Sequence, residues 1–294
     1  MKNHPFLKRL QAGEIFIADG AMGTSLLVRG LPRGIQGEAW VLDRPEEIIG
    51  VHRGFIAAGA RIILTCTFGA SPARLRGSKL EGLTEQINRR AVELAKEAVD
   101  GRSVLVAGSM GPSGKLLKPF GKLSPEEASA SFSEQAEVLA SAGADLLVIE
   151  TQYDLKEAQL AVKAVRSVST LPVVCTFSFD RGSHTMMGVS PAQVGRELEA
   201  VGVDVVGINC GRSLDENLAA LKELRAHSNL PIWFKPNAGL PEVDGEGISR
   251  YRTTPEMMAA QVPAWMEAGA QVIGGCCGTS AEHLEQIARA AGKG

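Results

Sequence analysis

Three cysteines near the ends of two short apolar runs are the residues best suited to chemistry in this sequence. Cys276 and Cys277 stand side by side in the stretch Val-Ile-Gly-Gly-Cys-Cys-Gly-Thr, and Cys210 ends the run Val-Val-Gly-Ile-Asn-Cys. Adjacent cysteines are poor disulfide partners, because a trans peptide holds their Cα atoms about 3.8 Å apart, below the roughly 4.4–6.8 Å that disulfides prefer. Three thiolates can instead bind a zinc ion and leave its fourth tetrahedral position open, which is typical of a catalytic site.

The two neighbouring thiolates can reach one ion only where the backbone turns sharply, since consecutive strand residues point to opposite faces. Gly274, Gly275 and Gly278 flank the pair and permit such a turn. We therefore predict that the three cysteines are catalytic zinc ligands. The spacing alone leaves a second interpretation open, in which they are buried apolar side chains at strand ends.

Eight short apolar runs recur along the chain, rich in β-branched residues and nearly continuous, as expected of strands that are buried on both faces. They cover residues 15–19, 61–66, 104–108, 146–150, 173–177, 205–209, 232–235 and 272–275. Helical patterns follow at 45–58, 84–99, 124–142, 155–167, 191–201, 214–226, 255–268 and 281–291. Eight strand-then-helix units predict the α/β class and a (β/α)8 TIM barrel, formed by residues 1–294 as a single domain. A doubly wound open sheet is the alternative, although it usually has fewer strands.

The polar candidates fall where the predicted strands end. Asp19 ends the first strand, Glu150 the fourth and Cys210 the sixth, while Asn237 follows the seventh and Cys276 the eighth. Barrel active sites are built at the carboxyl ends of the strands, so we expect these residues to converge on one rim. Two carboxylates there could form an acid–base pair, as in a barrel glycosidase, but that interpretation leaves the cysteines unexplained. We favour carboxylates that pair with the ammonium group of a substrate.

The composition argues against several other classes of function. The chain of 294 residues is 45% hydrophobic and 22% charged, with a formal net charge of −2, which does not fit a nucleic-acid-binding surface. No apolar stretch approaches the roughly 18 residues of a membrane span, and the first residues lack the apolar core of a signal peptide. Five cysteines without a paired framework indicate reduced thiols. We therefore expect a cytoplasmic protein that binds neither nucleic acid nor a membrane.

Seven short motifs, spread in order over nearly the whole chain, carry polar or thiol side chains, and all but one of them contain glycine. They are Asp19-Gly-Ala-Met-Gly-Thr24, Thr65-Cys-Thr-Phe-Gly69, Gly108-Ser-Met-Gly-Pro112, Glu150-Thr151, Gly207-Ile-Asn-Cys210, Lys235-Pro-Asn-Ala-Gly239 and Gly274-Gly-Cys-Cys-Gly-Thr279. Together they resemble the zinc-dependent homocysteine S-methyltransferase family. The closest likeness is to the N-terminal homocysteine-binding barrel of cobalamin-dependent methionine synthase, to which the Lys-Pro-Asn-Ala-Gly and Gly-Ser-Met-Gly-Pro stretches point.

The resemblance implies a zinc ion on the three cysteines, which are then the catalytic residues. It also implies that Asp19 and Glu150 hold the amino end of homocysteine, and we predict that Gly20 and Asn237 complete the substrate-binding site. The family often has asparagine where this chain has Cys66, so a polar substrate contact from that position is not carried over.

The implied activity is transfer of a methyl group to the zinc-bound thiolate of homocysteine, which gives methionine. The sequence has no Asp-x-His-x-x-Gly segment of the kind that marks a cobalamin module, so we expect a separate methyl-corrinoid protein to supply the methyl group. Met22, Phe68 and the long loop 111–123, a candidate lid over the barrel mouth, are its expected contacts. Three alternatives stay open: a sulfonium donor such as S-methylmethionine or S-adenosylmethionine, a demethylating role with another thiol acceptor, and a non-catalytic subunit that binds homocysteine and zinc.

Overall fold

Eight parallel strands form one sheet that closes into a barrel in this computed structural model, which describes residues 4–243 and 249–293. The barrel strands are β1 (Phe16–Ile17), β2 (Ile62–Leu64), β3 (Leu105–Met110), β4 (Leu146–Gln152), β5 (Val173–Phe177), β6 (Val205–Cys210), β7 (Ile232–Pro236) and β10 (Ala270–Ile273). A separate antiparallel pair is formed by β8 (Glu242–Val243) and β9 (Ser249–Arg250).

The order of the barrel strands is β1-β10-β7-β6-β5-β4-β3-β2, and a parallel bridge between Ala18 and Ile62 joins the two ends of the sheet. The predicted (β/α)8 barrel is therefore confirmed. The alternative of an open doubly wound sheet is wrong, because such a sheet leaves its two outer strands unpaired on one side.

Helices follow the barrel strands. The longer ones are α4 (Pro45–Ala57), α6 (Thr84–Val99), α7 (Pro125–Ser141), α8 (Leu155–Val168), α9 (Pro191–Val201), α10 (Leu214–His227) and α13 (Ala281–Ala290). The shorter ones are α1 (Pro5–Gln11), α2 (Met22–Val28), α3 (Ala39–Asp43), α5 (Pro72–Leu75), α11 (Pro255–Ala259) and α12 (Val262–Glu267). No helix in the described part of the chain has the length and apolar character needed to cross a membrane.

The start of α7 shows why local sequence predicts several helix boundaries well. Ser124 Oγ accepts the N–H of Glu127 at 3.2 Å, and the Glu127 carboxylate accepts the N–H of Ser124 at 2.9 Å. Pro125 occupies the first helical position, where its missing N–H removes no hydrogen bond. Ser190 and Gln193 repeat this reciprocal arrangement at the start of α9. Because these caps involve residues three apart, the sequence alone predicts where both helices begin.

Helix α1 covers the amino ends of the barrel strands. Phe6 of α1 packs edge-to-face on Phe16 of β1, with ring centroids 5.3 Å apart. The carbonyl of Leu10 accepts a hydrogen bond from Gln271 Nε2, at the start of β10, at 2.7 Å. The α1 side chains join the buried cluster that also contains Trp233 inside the barrel. The amino end of the barrel is thus closed by packing, and the carboxyl end remains for a site.

The predicted helix at 255–268 is wrong as one unit, because the structure divides it into α11 and α12. Ala260 and Gln261 separate the two helices. Pro263 gives the reason: it has no N–H for the carbonyl of Ala259, and its ring crowds that carbonyl. Four other short helices, α1, α2, α3 and α5, lie in segments without a predicted element, since so few residues carry little periodic signal.

His52 of α4 makes the stability of this fold depend on pH. The side chain is fully buried, and neither ring nitrogen has a hydrogen-bond partner among the described residues. Burial lowers the pKa of His52 from 6.5 to about 4. Between these values the unfolded chain binds a proton that the folded protein does not, so stability falls as the pH drops from 7 towards 4. We expect His52→Leu to lose about 2 kcal/mol less stability than the wild type between pH 7 and pH 5.

Urea unfolding of both proteins at the two pH values measures this difference. His184→Leu is the matched control, because His184 is exposed in the loop after β5 and should leave the pH dependence unchanged. A His52→Leu variant that loses as much stability as the wild type between pH 7 and pH 5 would refute the assignment.

Candidate active site

The three predicted cysteines meet at the carboxyl ends of β6 and β10. The Sγ atoms of Cys210 and Cys276 lie 2.9 Å apart, and the sulfurs of Cys210, Cys276 and Cys277 all lie within 4.8 Å of one another. The three are free thiols, and each is partly exposed. Residues far apart in the sequence therefore converge at one rim of the barrel, as predicted.

A tight turn after β10 allows the two adjacent thiols to face one point. The carbonyl of Cys276 accepts the N–H of Thr279 at 3.1 Å and its hydroxyl at 2.6 Å. Gly278 has φ +82°, in the left-handed region that favours glycine. The sharp turn expected from the flanking glycines is thus present. Cys210 has φ +62°, a value uncommon for any residue with a side chain.

The thiol cluster fits a zinc ion in both geometry and charge. Tetrahedral zinc–sulfur bonds of about 2.3 Å place sulfurs roughly 3.8 Å apart, and the three sulfurs, which all lie within 4.8 Å of one another, are close enough to share one ion. Hydrogen bonding among the thiols raises the pKa of Cys210 well above its ordinary value, and hydrogen bonds from the other two thiols lower the pKa of Cys277. Three thiolates this close together repel one another, so their joint ionisation requires a cation between them.

A cavity of about 310 Å³ lies at this rim and places the cysteines beside charged groups. The polar residues that line it include Asp19, Ser109, Glu150, Thr151 and Lys235. Its apolar residues include Met22, Leu26, Leu64, Cys66 and Phe68. The volume is at the lower end of the roughly 300–1,000 Å³ of small-molecule sites, which suits a ligand of amino-acid size.

Glu150 is the carboxylate of the cavity that keeps free capacity for a ligand. Its Oε1 accepts the hydroxyl of Ser109 at 2.5 Å, and no ion pair to Glu150 occurs among the described residues. Burial raises the pKa of Glu150 to about 7, although the charge of Lys235 opposes this shift. A carboxylate that has lost much of its hydration gains strongly from a cationic partner.

Lys235 is a charged cavity residue that the sequence analysis missed. Its Nζ donates to Asp19 Oδ1 at 2.5 Å, while Asp19 Oδ2 accepts the N–H of Leu64 at 2.7 Å. Burial acts to lower the pKa of Lys235, but the charges of Asp19 and Glu150 outweigh it and raise that pKa. The signal was present in the run Ile-Trp-Phe-Lys, because a charge at the end of a buried strand needs a partner.

We expect Lys235→Met to destabilise the protein by about 3–5 kcal/mol, because it leaves the Asp19 carboxylate buried without its ion-pair partner. The double variant Asp19→Asn/Lys235→Met carries no unpaired charge and should recover part of that loss. Urea unfolding of the two single variants and the double variant measures the coupling. If the stability lost by the double variant equals the sum of the losses in the two single variants, Asp19 and Lys235 are not a coupled buried pair.

The two remaining predicted residues, Gly20 and Asn237, differ in whether they line the cavity. Gly20 lines the cavity, and a Cβ there would lie 2.6 Å from the ring of Phe55, so a side chain would disturb the packing. Asn237 is not among the residues that line the cavity. Its Nδ2 donates to the carbonyl of Gly211 at 2.8 Å, and its Oδ1 is buried with no partner in the described part of the chain. Substrate contacts from both residues stay predictions.

The loop 111–123 lies beside the cavity residues and contributes none of them. Leu117 and Leu123 are buried against Ala128 of α7. The tip of the loop instead lines a second cavity of about 230 Å³, next to Phe120, which is 81% exposed. A lid role for this loop therefore stays a prediction.

Comparison with known proteins establishes the family of this chain. The family model described as homocysteine S-methyltransferase matches residues 16–291, which is nearly the whole length. This chain belongs to the homocysteine S-methyltransferase family. The family predicted from the seven motifs is confirmed.

Three relatives illustrate the likeness. Betaine–homocysteine S-methyltransferase 1 of Danio rerio is 31% identical over 305 residues, which cover 96% of this chain and 74% of that protein. Methionine synthase of Mycobacterium leprae is 29% identical over 296 residues, covering 95% of this chain, and the chain spans 24% of that enzyme. The metallated form of the homocysteine methyltransferase MmuM from Escherichia coli superposes with a TM-score of 0.80 at 29% identity, covering 95% of this chain and 97% of that one. These enzymes have different names, so family membership leaves the methyl donor open.

Proposed function

We propose that this protein transfers a methyl group to the thiol sulfur of homocysteine, giving methionine, with a zinc ion held by Cys210, Cys276 and Cys277. The observation that carries the proposal is a group of three thiols within 4.8 Å at a cavity that Glu150 also lines. The thiol of homocysteine suits the zinc site of the three cysteines, and its ammonium group suits the Glu150 carboxylate. When bound, zinc supplies the positive charge that favours the ionised form of a thiol at neutral pH.

The charges of the cavity favour the ammonium group of an amino acid. Lys235 neutralises Asp19, so the net negative charge of the cavity comes from its other two carboxyl groups, Glu150 and Glu38, of which Glu38 already accepts the N–H of Gly69. The substrate ammonium pairs with Glu150, whose carboxylate is oriented by the Ser109 hydroxyl. Asp19 acts indirectly in this proposal, because its carboxylate pairs with Lys235 and fixes the position of that side chain. The role predicted from the sequence was a direct contact with the amino end of the substrate.

The chemical step is a displacement at carbon. The substrate sulfur forms a bond to the methyl carbon, the bond from that carbon to the donor breaks, and its electron pair leaves with the donor. The proton of the thiol goes to solvent before the transfer. No acid catalyst is needed when the donor leaves as a reduced corrinoid or a neutral thioether, and no histidine among the described residues lines the cavity. Met22, Leu26 and Phe68 supply an apolar wall that excludes water around the reacting carbon.

The donor in this proposal is a methyl-corrinoid protein that docks on the carboxyl face of the barrel. The support is the motif likeness to a corrinoid-dependent barrel and the apolar side chains at this rim, where Met22 and Phe68 are half-buried and Phe120 is exposed. The corrinoid must leave to be remethylated, so we expect a transient interface of less than about 1,200 Å².

An assay with homocysteine and a panel of donors tests the proposed function, with zinc-loaded protein and with chelator-treated protein. The panel holds methylcobalamin, a methyl-corrinoid protein, S-methylmethionine, S-adenosylmethionine and betaine. Zinc-dependent turnover with the corrinoid donors alone supports the proposal. Turnover with a sulfonium compound or betaine at rates typical of enzymes, about 1–10³ s⁻¹, would mean that this compound, and not a methyl-corrinoid protein, is the methyl donor. Tight binding of homocysteine and zinc without turnover on any donor would indicate a binding subunit instead.

A further inference from the structure

We propose that Asn209 is a positioning residue that links the zinc-binding thiols to the substrate-binding segment at Glu150. The proposal rests on the proposed function, since it takes the three cysteines as the zinc site. Asn209 directly precedes Cys210 in β6 and is only 1% exposed. Its side-chain amide contacts the thiol cluster on one side and Thr151, the neighbour of Glu150, on the other.

The amide nitrogen of Asn209 faces two of the sulfurs. Nδ2 lies 3.8 Å from Cys210 Sγ and 3.8 Å from Cys276 Sγ. Sulfur is a larger acceptor than oxygen, so its hydrogen bonds are longer, and a thiolate is a stronger acceptor than a thiol because it is charged. An N–H group shared between two thiolates stabilises their negative charge and fixes their separation.

The hydrogen-bond partners determine the orientation of this amide. Oδ1 accepts the backbone N–H of Thr151 at 2.8 Å and the hydroxyl of Thr176 at 2.6 Å. A backbone N–H can only donate, so the amide oxygen must face Thr151 and the NH₂ group must face the sulfurs. Nδ2 also donates to Thr151 Oγ1 at 2.6 Å. One N–H therefore goes to Thr151 and the other to the thiols.

Thr151 needs this support because its backbone conformation is unfavourable. It has φ +60°, which is an outlier for a β-branched residue, and it lies at a register shift in β4 between Ile149 and Gln152. Strained residues of this kind persist only where their surroundings hold them. Two hydrogen bonds from one buried side chain hold Thr151, and the position of Glu150 follows from that of Thr151.

A single side chain thus sets the distance between the group that binds the substrate sulfur and the group that binds its ammonium. Replacing a residue that hydrogen-bonds to a metal ligand typically lowers metal affinity or activity by about 10- to 100-fold. We expect Asn209 to have an effect of this size on zinc affinity and a separate effect on homocysteine affinity.

Two replacements of Asn209 test the proposal. Asn209→Asp keeps the size and the acceptor for Thr151 but turns an oxygen towards the thiolates, and Asn209→Ala removes the amide without adding charge. We expect zinc affinity to fall by about 10- to 100-fold in both. When cobalt replaces zinc as a spectroscopic probe, the thiolate-to-cobalt charge-transfer bands of both variants should shift in energy relative to the wild type. Asn88→Ala is the matched control, because Asn88 is also a fully buried asparagine but does not line the cavity; it should leave zinc affinity, homocysteine affinity and the cobalt spectrum unchanged.

Wild-type zinc affinity together with an unshifted cobalt spectrum in Asn209→Ala would overturn the proposal, even if the variant were less stable. A merely structural role lowers the melting temperature and does not move the charge-transfer bands. The alanine variant decides the matter if the aspartate variant does not fold. A wild-type protein that binds no zinc overturns the proposed function and this inference together. A wild-type protein that binds zinc, with unchanged zinc affinity and an unshifted cobalt spectrum in both Asn209 variants, overturns this inference alone.

Discussion

We expect Cys276→Ala to reduce bound zinc from about one ion per chain to a small fraction of that amount, because two thiolates cannot replace a set of three. Methyl transfer to homocysteine should then fall at least about 30-fold. A free thiol has a pKa of about 8.5, so only roughly 3% of it is ionised at pH 7 without a metal. The loss of a fixed position for the sulfur lowers the rate further. Metal analysis after gel filtration and a homocysteine methylation assay measure the two effects.

Cys175→Ala is the matched control for this change. Cys175 lies fully buried in β5, away from the thiol cluster, so its replacement removes the same atoms without touching the site. It should keep stoichiometric zinc and activity. Cys210→Ala and Cys277→Ala should behave like Cys276→Ala. If the triple alanine variant still holds one zinc per chain, the assignment of the metal site is wrong.

Glu150→Gln should weaken homocysteine binding about 10- to 150-fold and leave zinc binding nearly unchanged. A charge-assisted hydrogen bond between the carboxylate and the substrate ammonium contributes roughly 1.5–3 kcal/mol, which corresponds to that range. The amide of glutamine keeps the size of the side chain and an acceptor for the Ser109 hydroxyl, so the cavity should keep its shape. Calorimetric titration of the zinc-loaded variant with homocysteine measures the loss.

The control for this prediction is Glu157→Gln. Glu157 is also a buried glutamate, and its Oε1 accepts the N–H of Ser113 at 2.6 Å, but it does not line the cavity. Its replacement should not change homocysteine affinity. Equal affinities for homocysteine in the wild type and Glu150→Gln would rule out Glu150 as the ammonium partner.

The sequence alone was sufficient for the barrel and for the convergence of the cysteines, because both depend on local patterns. Short apolar runs, capping residues such as Ser124 and turn glycines such as Gly278 act over a few residues, and the alternation of strands and helices then leads to a closed barrel. Since barrel strands all end at one rim, Asp19, Glu150 and Cys210 had to approach one another.

Only the tertiary structure decided which groups pair within that rim. Lys235 neutralises Asp19 across 216 positions of sequence. Asn209 of β6 contacts Thr151 of β4 and Cys276 after β10, and each of these partners belongs to a strand that lies two positions away in the barrel. Asn237, for which a substrate contact stays a prediction, donates to the backbone carbonyl of Gly211, next to Cys210. The physical reason is that hydrogen bonds and ion pairs depend on distances of a few tenths of an ångström and on side-chain direction. The register of the barrel strands sets both. These strands are buried on both faces and lack the alternation of apolar and polar residues that would specify their register in the sequence.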